Sequence, residues 1–250
     1  MTAASGPGRL DIALVARGLA PTRSRARDLI VRGLVSVDGA AVGKPAMMVT
    51  DAAKIVVTGG ETGLVSRGGV KLRAALEAFG FSPAGRIALD VGASTGGFTQ
   101  VLLEGGASKV YAVDVGHGQL HANLKRDGRV VSLEGTDARR LDAELIPERV
   151  TAIVADVSFI SLQKALPAAL ALAAPGAWLV TLVKPQFEVG RAGVGKGGIV
   201  RDKSAQRAAV ERIASWLSAD GRWRVLAPIA SPIAGGSGNT EFLLGATCND

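Results

Sequence analysis

The chain has 250 residues, 48% of them hydrophobic and 20% charged, which excludes a disordered polymer and leaves room for one mid-sized domain plus a small one. A net charge of +7 suits a polyanionic partner such as RNA, with an anionic membrane surface as the other candidate of that sign. The single cysteine, Cys248, excludes an internal disulfide and points to a reducing, cytoplasmic setting; with only His117 and His121 beside it, no metal site is expected.

Arg9, Asp11 and Arg17 interrupt the first apolar stretch, so no secretory signal is expected there. A short helix through Leu10, Ala13 and Leu14 stops near Gly18. Pro21-Thr22 opens a second helix, with Thr22 or Ser24 as N-cap and Leu29, Ile30 and Leu34 as its apolar face. Val35-Ser36-Val37, Asp38-Gly39 and Ala41-Val42 read as a hairpin with a tight turn, and residues 54–57 add a short strand. Arg23, Arg25, Arg27 and Arg32 lie on or beside the second helix against a single Asp28. They cannot all share one face, but Arg23, Arg27 and a neighbour can, and arginines at a helix start bind phosphate well. A solvated face with no partner is the competing reading.

Residues 59–63 are small, polar and glycine-rich, as a linker is, and Gly68-Gly69 precedes a helix over 70–79. The expected division is an RNA-binding domain over 1–60, a linker over 61–69 and a larger domain over 70–250. In the larger domain, strands are predicted at 86–91, 109–114, 129–133, 150–156 and 177–184. They alternate with helices at 97–104, 118–126, 161–173 and 203–218, which implies a parallel sheet covered on both faces. Strands at 223–229 and 240–246 have only a Gly/Ser-rich loop between them, so they must be antiparallel neighbours. The fold class is therefore α/β, a Rossmann-like seven-stranded sheet of the class I methyltransferase layout with an antiparallel last strand. A small α+β domain precedes it. Residues 165–183 carry no charge, but Pro167 and Pro175-Gly176 split them, so a buried helix–turn–strand is expected rather than a membrane span.

Chemistry concentrates at the first βα turn, Asp90-Val91-Gly92-Ala93-Ser94-Thr95-Gly96-Gly97-Phe98. Its glycines allow a tight turn and close approach of a ligand, and Asp114, ending the next strand, can accept both hydroxyls of a ribose. The pair fits an adenosine-containing cofactor. The spacing is G-x-x-x-G-G, so a dinucleotide is the weaker reading, and Phe98 stands where a P-loop needs lysine. The expected cofactor set is Asp90, Gly92, Ser94, Gly96, Gly97, Phe98 and Asp114, with Asp137 placed to hold the adenine amine. The stretch from Gly190 to Gly197 only mimics a P-loop, because Gly197 replaces the needed Ser or Thr. It reads as a substrate-side loop that touches RNA through Arg191 and Lys196; Arg67 joins the expected RNA-contacting set.

Asp156 ends the fourth strand, Lys184 ends the fifth, and Glu241 begins the antiparallel last one, so all three fall on one rim. Lys71, on the helix before the first strand, can reach over the same crevice, although a surface salt bridge accounts for it equally well. Two lysines and two carboxylates beside a methyl donor suit the placing and deprotonation of a poorly acidic hydroxyl.

These blocks resemble the TlyA-type haemolysin-like family, rRNA ribose methyltransferases with an FtsJ-like catalytic domain. The likeness is carried by Val65-Ser66-Arg67-Gly68-Gly69-Val70-Lys71-Leu72, by the cofactor loop, and by Asp156-Val157-Ser158-Phe159-Ile160-Ser161-Leu162. Lys184-Pro185-Gln186-Phe187-Glu188 and Gly238-Asn239-Thr240-Glu241-Phe242 complete it. The resemblance implies S-adenosylmethionine as cofactor, ribosomal RNA or ribosomal subunits as partner, and Lys71, Asp156, Lys184 and Glu241 as a catalytic tetrad. It also makes the N-terminal unit similar to the RNA-binding domain of small-subunit ribosomal protein four. Gly135 and Asp137 stand where the family has Arg and Asn, which departs from the pattern on the adenine side. Two other functions compete. A membrane-active haemolysin needs a span that 165–183 does not supply. A pseudouridine synthase shares this kind of N-terminal domain, but Arg140-Leu141-Asp142 lacks the flanking Thr-Ser-Gly of that enzyme.

Overall fold

A computed structural model describes residues 8–20, 22–31, 33–57, 64–190, 193–219, 221–235 and 238–249, and the Arg25 side chain lies outside the description. The chain forms two compact units, 1–63 and 64–250. The proposed linker residues 59–63 and Arg32 fall outside the described residues.

In the first unit, strand β1 (Gly8–Arg9) runs into helix α1 (Leu10–Ala16), followed by α2 (Arg23–Val31). Gly18, at φ +69, ends α1 in the left-handed region, where a side chain is strained. Strands β2 (Val35–Val37) and β3 (Ala40–Ala41) form the expected hairpin, its Asp38-Gly39 turn having positive φ at both positions, as a type I′ turn requires. Strand β4 (Met48–Val49) pairs with β1, and β5 (Ile55–Val57) pairs with β2. Leu10, Leu14, Ala26, Ile30 and Val35 make the core between helices and strands.

The second unit begins at Leu64, which is buried in its core. Residues 64–69, expected within the linker, therefore pack with the second unit, and helix α3 (Gly68–Phe79) starts two residues before 70. Then come β6 (Ile87–Val91), α4 (Gly97–Glu104), β7 (Lys109–Asp114), α5 (Ala122–Lys125), β8 (Val130–Glu134) and β9 (Val150–Ala155). Helices α6 (Leu162–Ala165) and α7 (Pro167–Ala171), strand β10 (Ala173–Val183), α8 (Pro185–Glu188) and α9 (Lys203–Ser218) follow. The chain closes with β11 (Trp223–Val225), β12 (Ile229–Ala230) and β13 (Phe242–Cys248). The sheet order is β11-β13-β10-β9-β6-β7-β8, with β12 also beside β13. Strands β8, β7, β6, β9 and β10 are parallel, and β13 runs antiparallel to β10, β11 and β12.

Four predicted elements change, and the strand expected over 223–229 is one of them: it splits into β11 and β12, so the sheet has eight strands where seven were expected. The helix expected over 118–126 shrinks to α5, because Gly118 sits at φ +66 and the Glu134 carboxylate, not a helical carbonyl, accepts the amides of Gln119 and Leu120. The helix expected over 161–173 breaks at Pro167, which has no N–H for the preceding turn and instead starts α7. Strand β10 begins earlier than expected, with an irregular register between Ala173 and Trp178 that absorbs Pro175-Gly176. Residues 165–183 are thus two short helices and a buried strand, and no helix among the described residues is long and apolar enough to cross a membrane.

Candidate active site

Parallel strands end on one rim, and here β6, β7 and β9 end around a pocket of about 410 Å³. A volume of that size suits a small organic cofactor. Gly92, Ser94, Asp114, Asp137 and Asp156 line it, together with apolar Val115, Ile160 and Ala165. Gly92 has φ +85, and a Cβ there would lie 2.7 Å from the Asp156 carbonyl oxygen, so glycine lets two neighbouring strand ends converge. The Asp114 carboxylate accepts from the amides of Ser94 and Gly116, both at 2.8 Å, which fixes it at the pocket wall. Asp137 caps the following turn by accepting from the Arg139 amide. It also pairs with the Arg139 guanidinium, which holds its carboxyl down at about 2.

The remaining expected cofactor residues are placed differently. A side chain on Gly96 would strike Leu124 and Leu120, and one on Gly97 would strike Ser66, so both glycines serve helix packing. Phe98 is buried in the same core. These three are not among the pocket's walls. Asp90 is fully buried beneath the loop; Thr99 Oγ1 donates to its Oδ2 at 2.7 Å, while its Oδ1 has no hydrogen-bond partner among the described residues. Burial pushes its carboxyl up to about 7.

Beside the pocket the four expected rim residues come together as two ion pairs. Val183 stands opposite Phe242 across β10 and β13, so Lys184 and Glu241 leave the sheet side by side. Lys184 Nζ lies 2.6 Å from Asp156 Oδ1 and donates to Ser158 Oγ at 2.9 Å. Lys71 Nζ, arriving from α3, donates to Glu241 Oε2 at 2.5 Å. Lys71, Lys184 and Glu241 are each more than nine-tenths buried, and burying charge demands partners of this kind. Gly235 packs so closely on Glu241 Oε1 that no side chain fits there.

Sequence reasoning assigned no role to Ser158 or Phe159. Phe159 is 91% exposed, sits at φ +65, lines the pocket and lies 5.1 Å from the Phe187 ring centre. An exposed phenylalanine in the left-handed region is strained and unusual, but neither property is written in a single sequence. Of the expected RNA contacts, Arg27 is exposed on α2, Lys196 is exposed in a 3₁₀ turn, and Arg67 is half-buried at the start of α3. Arg23 is exposed but bound to Asp11 at 3.0 Å. Arg191 lies outside the described residues. His117 and His121 both precede α5, and His121 caps it. Asp142, the residue that suggested a pseudouridine synthase, accepts from the amides of Glu144 and Leu145 in a local turn.

A twisted parallel sheet with an antiparallel last strand, a pocket over its first strand ends and a lysine–carboxylate rim define a Rossmann-like methyltransferase. Residues 64–248 match the FtsJ-like methyltransferase family and residues 8–55 match the S4 domain; the chain belongs to the FtsJ-like methyltransferase family. It is 50% identical over 237 residues to the 16S/23S rRNA (cytidine-2′-O)-methyltransferase TlyA of Mycobacterium tuberculosis, covering 94% of this chain and 88% of that protein. It is 42% identical to the protein named Hemolysin A of Brachyspira hyodysenteriae, covering 94% and 98% of the two chains. A solved structure from Streptococcus thermophilus that carries the hemolysin name aligns with a TM-score of 0.77 at 39% identity, over 98% of this chain and 90% of that one.

Proposed function

We propose that this chain transfers a methyl group from S-adenosylmethionine to the 2′-hydroxyl of a ribose in ribosomal RNA, working in the cytoplasm on rRNA or a ribosomal subunit. The observation that carries the reading is the juxtaposition of the pocket with the two buried ion pairs, Lys184–Asp156 and Lys71–Glu241. The name of the Mycobacterium tuberculosis relative agrees with it, and the S4 domain supplies an RNA-binding module for such a substrate.

The residues fit the donor. Asp114 offers carboxylate oxygens to a ribose diol at the pocket wall, and Val115 and Ile160 offer apolar surface to an adenine ring. Gly92 keeps the wall thin where strand ends converge. Asp90, whose Oδ1 has no hydrogen-bond partner among the described residues, lies buried beneath the loop and is the residue that would face the amino-acid part of the donor. When bound, S-adenosylmethionine supplies an electrophilic methyl carbon. The chain's own task is to align the ribose oxygen and receive its proton. Lys184 sits on the rim nearest the pocket, its Nζ held by Asp156 and Ser158, and is the group we assign to that proton. Lys71 and Glu241 complete the rim, Glu241 leaving the sheet beside Lys184. Phe159 presents a bare ring face at the pocket edge on which a nucleobase can stack.

Mapping 2′-O-methylated riboses on rRNA from cells with and without this protein tests the assignment. One or more sites should vanish with the protein. An unchanged methylation map, combined with leakage of liposomes by the purified chain, would favour the function that the hemolysin name suggests.

A further inference from the structure

The first unit holds a buried carboxylate whose partners are both arginines. Asp11 lies in the first turn of α1 and is 0% exposed. Arg9, which precedes α1, donates to it twice, from Nε at 2.9 Å and from Nη2 at 3.1 Å. Arg23, at the start of α2, donates from Nε at 3.0 Å. One carboxylate thus ties together the beginnings of two helices. The arginine side chains themselves remain 39% and 56% exposed.

A carboxylate whose only task was to glue the fold would consume its partners. Arg17 shows what consumption looks like: its guanidinium donates to the carbonyls of Ala53, Thr50 and Asp51. Arg9 and Arg23 instead direct only their inner N–H groups at Asp11. Each guanidinium has about five donors, so most of the outward ones have no acceptor among the described residues. A single negative charge between two positive ones also relieves their mutual repulsion while leaving the cluster net cationic. Held guanidiniums lose less side-chain freedom on binding a phosphate than free ones do.

We propose that Asp11 is a positioning residue for RNA binding, fixing Arg9 and Arg23 as a two-pronged clamp for backbone phosphates. The proposal rests on the reading that the first unit docks on RNA.

Binding of the full-length chain to total ribosomal RNA, measured across salt concentrations, tests it. Asp11→Asn raises the net charge from +7 to +8. Charge alone then predicts tighter binding, whereas lost positioning predicts binding about three- to thirty-fold weaker. Arg23→Ala should lower the salt slope by about 0.7–0.9, one phosphate contact, and Asp11→Asn should add less in that background than in the wild type. If Arg23→Ala weakens binding but Asp11→Asn binds as tightly as wild type or more so, the clamp is refuted while RNA docking stands. If Arg23→Ala leaves the slope unchanged, the docking reading falls and the clamp with it. Should Asp11→Asn fail to fold, Arg9→Lys and Arg23→Lys decide the matter. They keep the charge but lose the planar fork, so affinity should fall, and unchanged affinity overturns the proposal.

Discussion

At the residue scale, the proposed chemistry turns on Lys184 and the pH dependence of stability on Asp90. Lys184 is held by Asp156 and Ser158 at the end of a buried strand, where a charged residue needs a reason to be. Lys184→Ala should cost about two to four powers of ten in single-turnover rate with both ligands still binding, the usual worth of a positioned base. Lys184→Arg should be nearly as slow, because guanidinium cannot give up its proton. A wild-type rate in Lys184→Arg would make the lysine an electrostatic clamp only. Asp90 makes stability depend on pH. Burial raises its folded value to about 7, above the ordinary 3.8, so the folded state binds more protons than the unfolded state between those values. Its contribution to stability is therefore fully present below about pH 4 and is lost as pH rises toward 7. Asp90→Asn removes that slope. Thermal unfolding from pH 5 to 8 should show wild type losing ground relative to the variant, and parallel curves would contradict the assignment.

At the scale of elements, apolar periodicity made much of the candidate site's placement legible in the sequence, and contacts between distant segments hid the rest. Strands β6, β7 and β9, the C-terminal end of β10, and helices α4 and α9 stand close to where their apolar periodicity puts them. Chain order and strand direction then bring Asp156, Lys184 and Glu241 onto one rim without further information. The glycine-rich turn was harder to apportion. In sequence, Gly92, Gly96 and Gly97 look alike. In space only Gly92 faces the pocket, while the other two make room for Leu124 and Ser66. Those neighbours come from distant segments, so no local pattern reports them. Phe159 was missed for a related reason: its exposure follows from a strained backbone angle, not from residue type. The convergence at Gly92 makes a prediction. Gly92→Ala forces a Cβ onto the Asp156 carbonyl and should lower donor affinity and turnover together, by about 1–3 kcal/mol of backbone strain in the affinity term. Calorimetry with S-adenosylmethionine and single-turnover kinetics check both, and unchanged values would show that the close approach is dispensable.

At the scale of the molecule, the proposed function divides between the two units. The first gathers arginines around Asp11, and the second carries the pocket and the paired rim. The uncharged stretch over 165–183, the feature closest to a membrane span in the sequence, is spent on two short helices and an interior strand of the sheet. Its apolar character is explained by the core it fills. The direct test of the account is transfer of labelled methyl from S-adenosylmethionine to deproteinised rRNA and to intact ribosomal subunits by the purified chain, with digestion of the product to nucleosides. The account predicts label on the ribose 2′-oxygen in at least one of these substrates, abolished by Lys184→Ala. Label on a nucleobase, or none on either substrate from a folded chain that binds the donor, would contradict it.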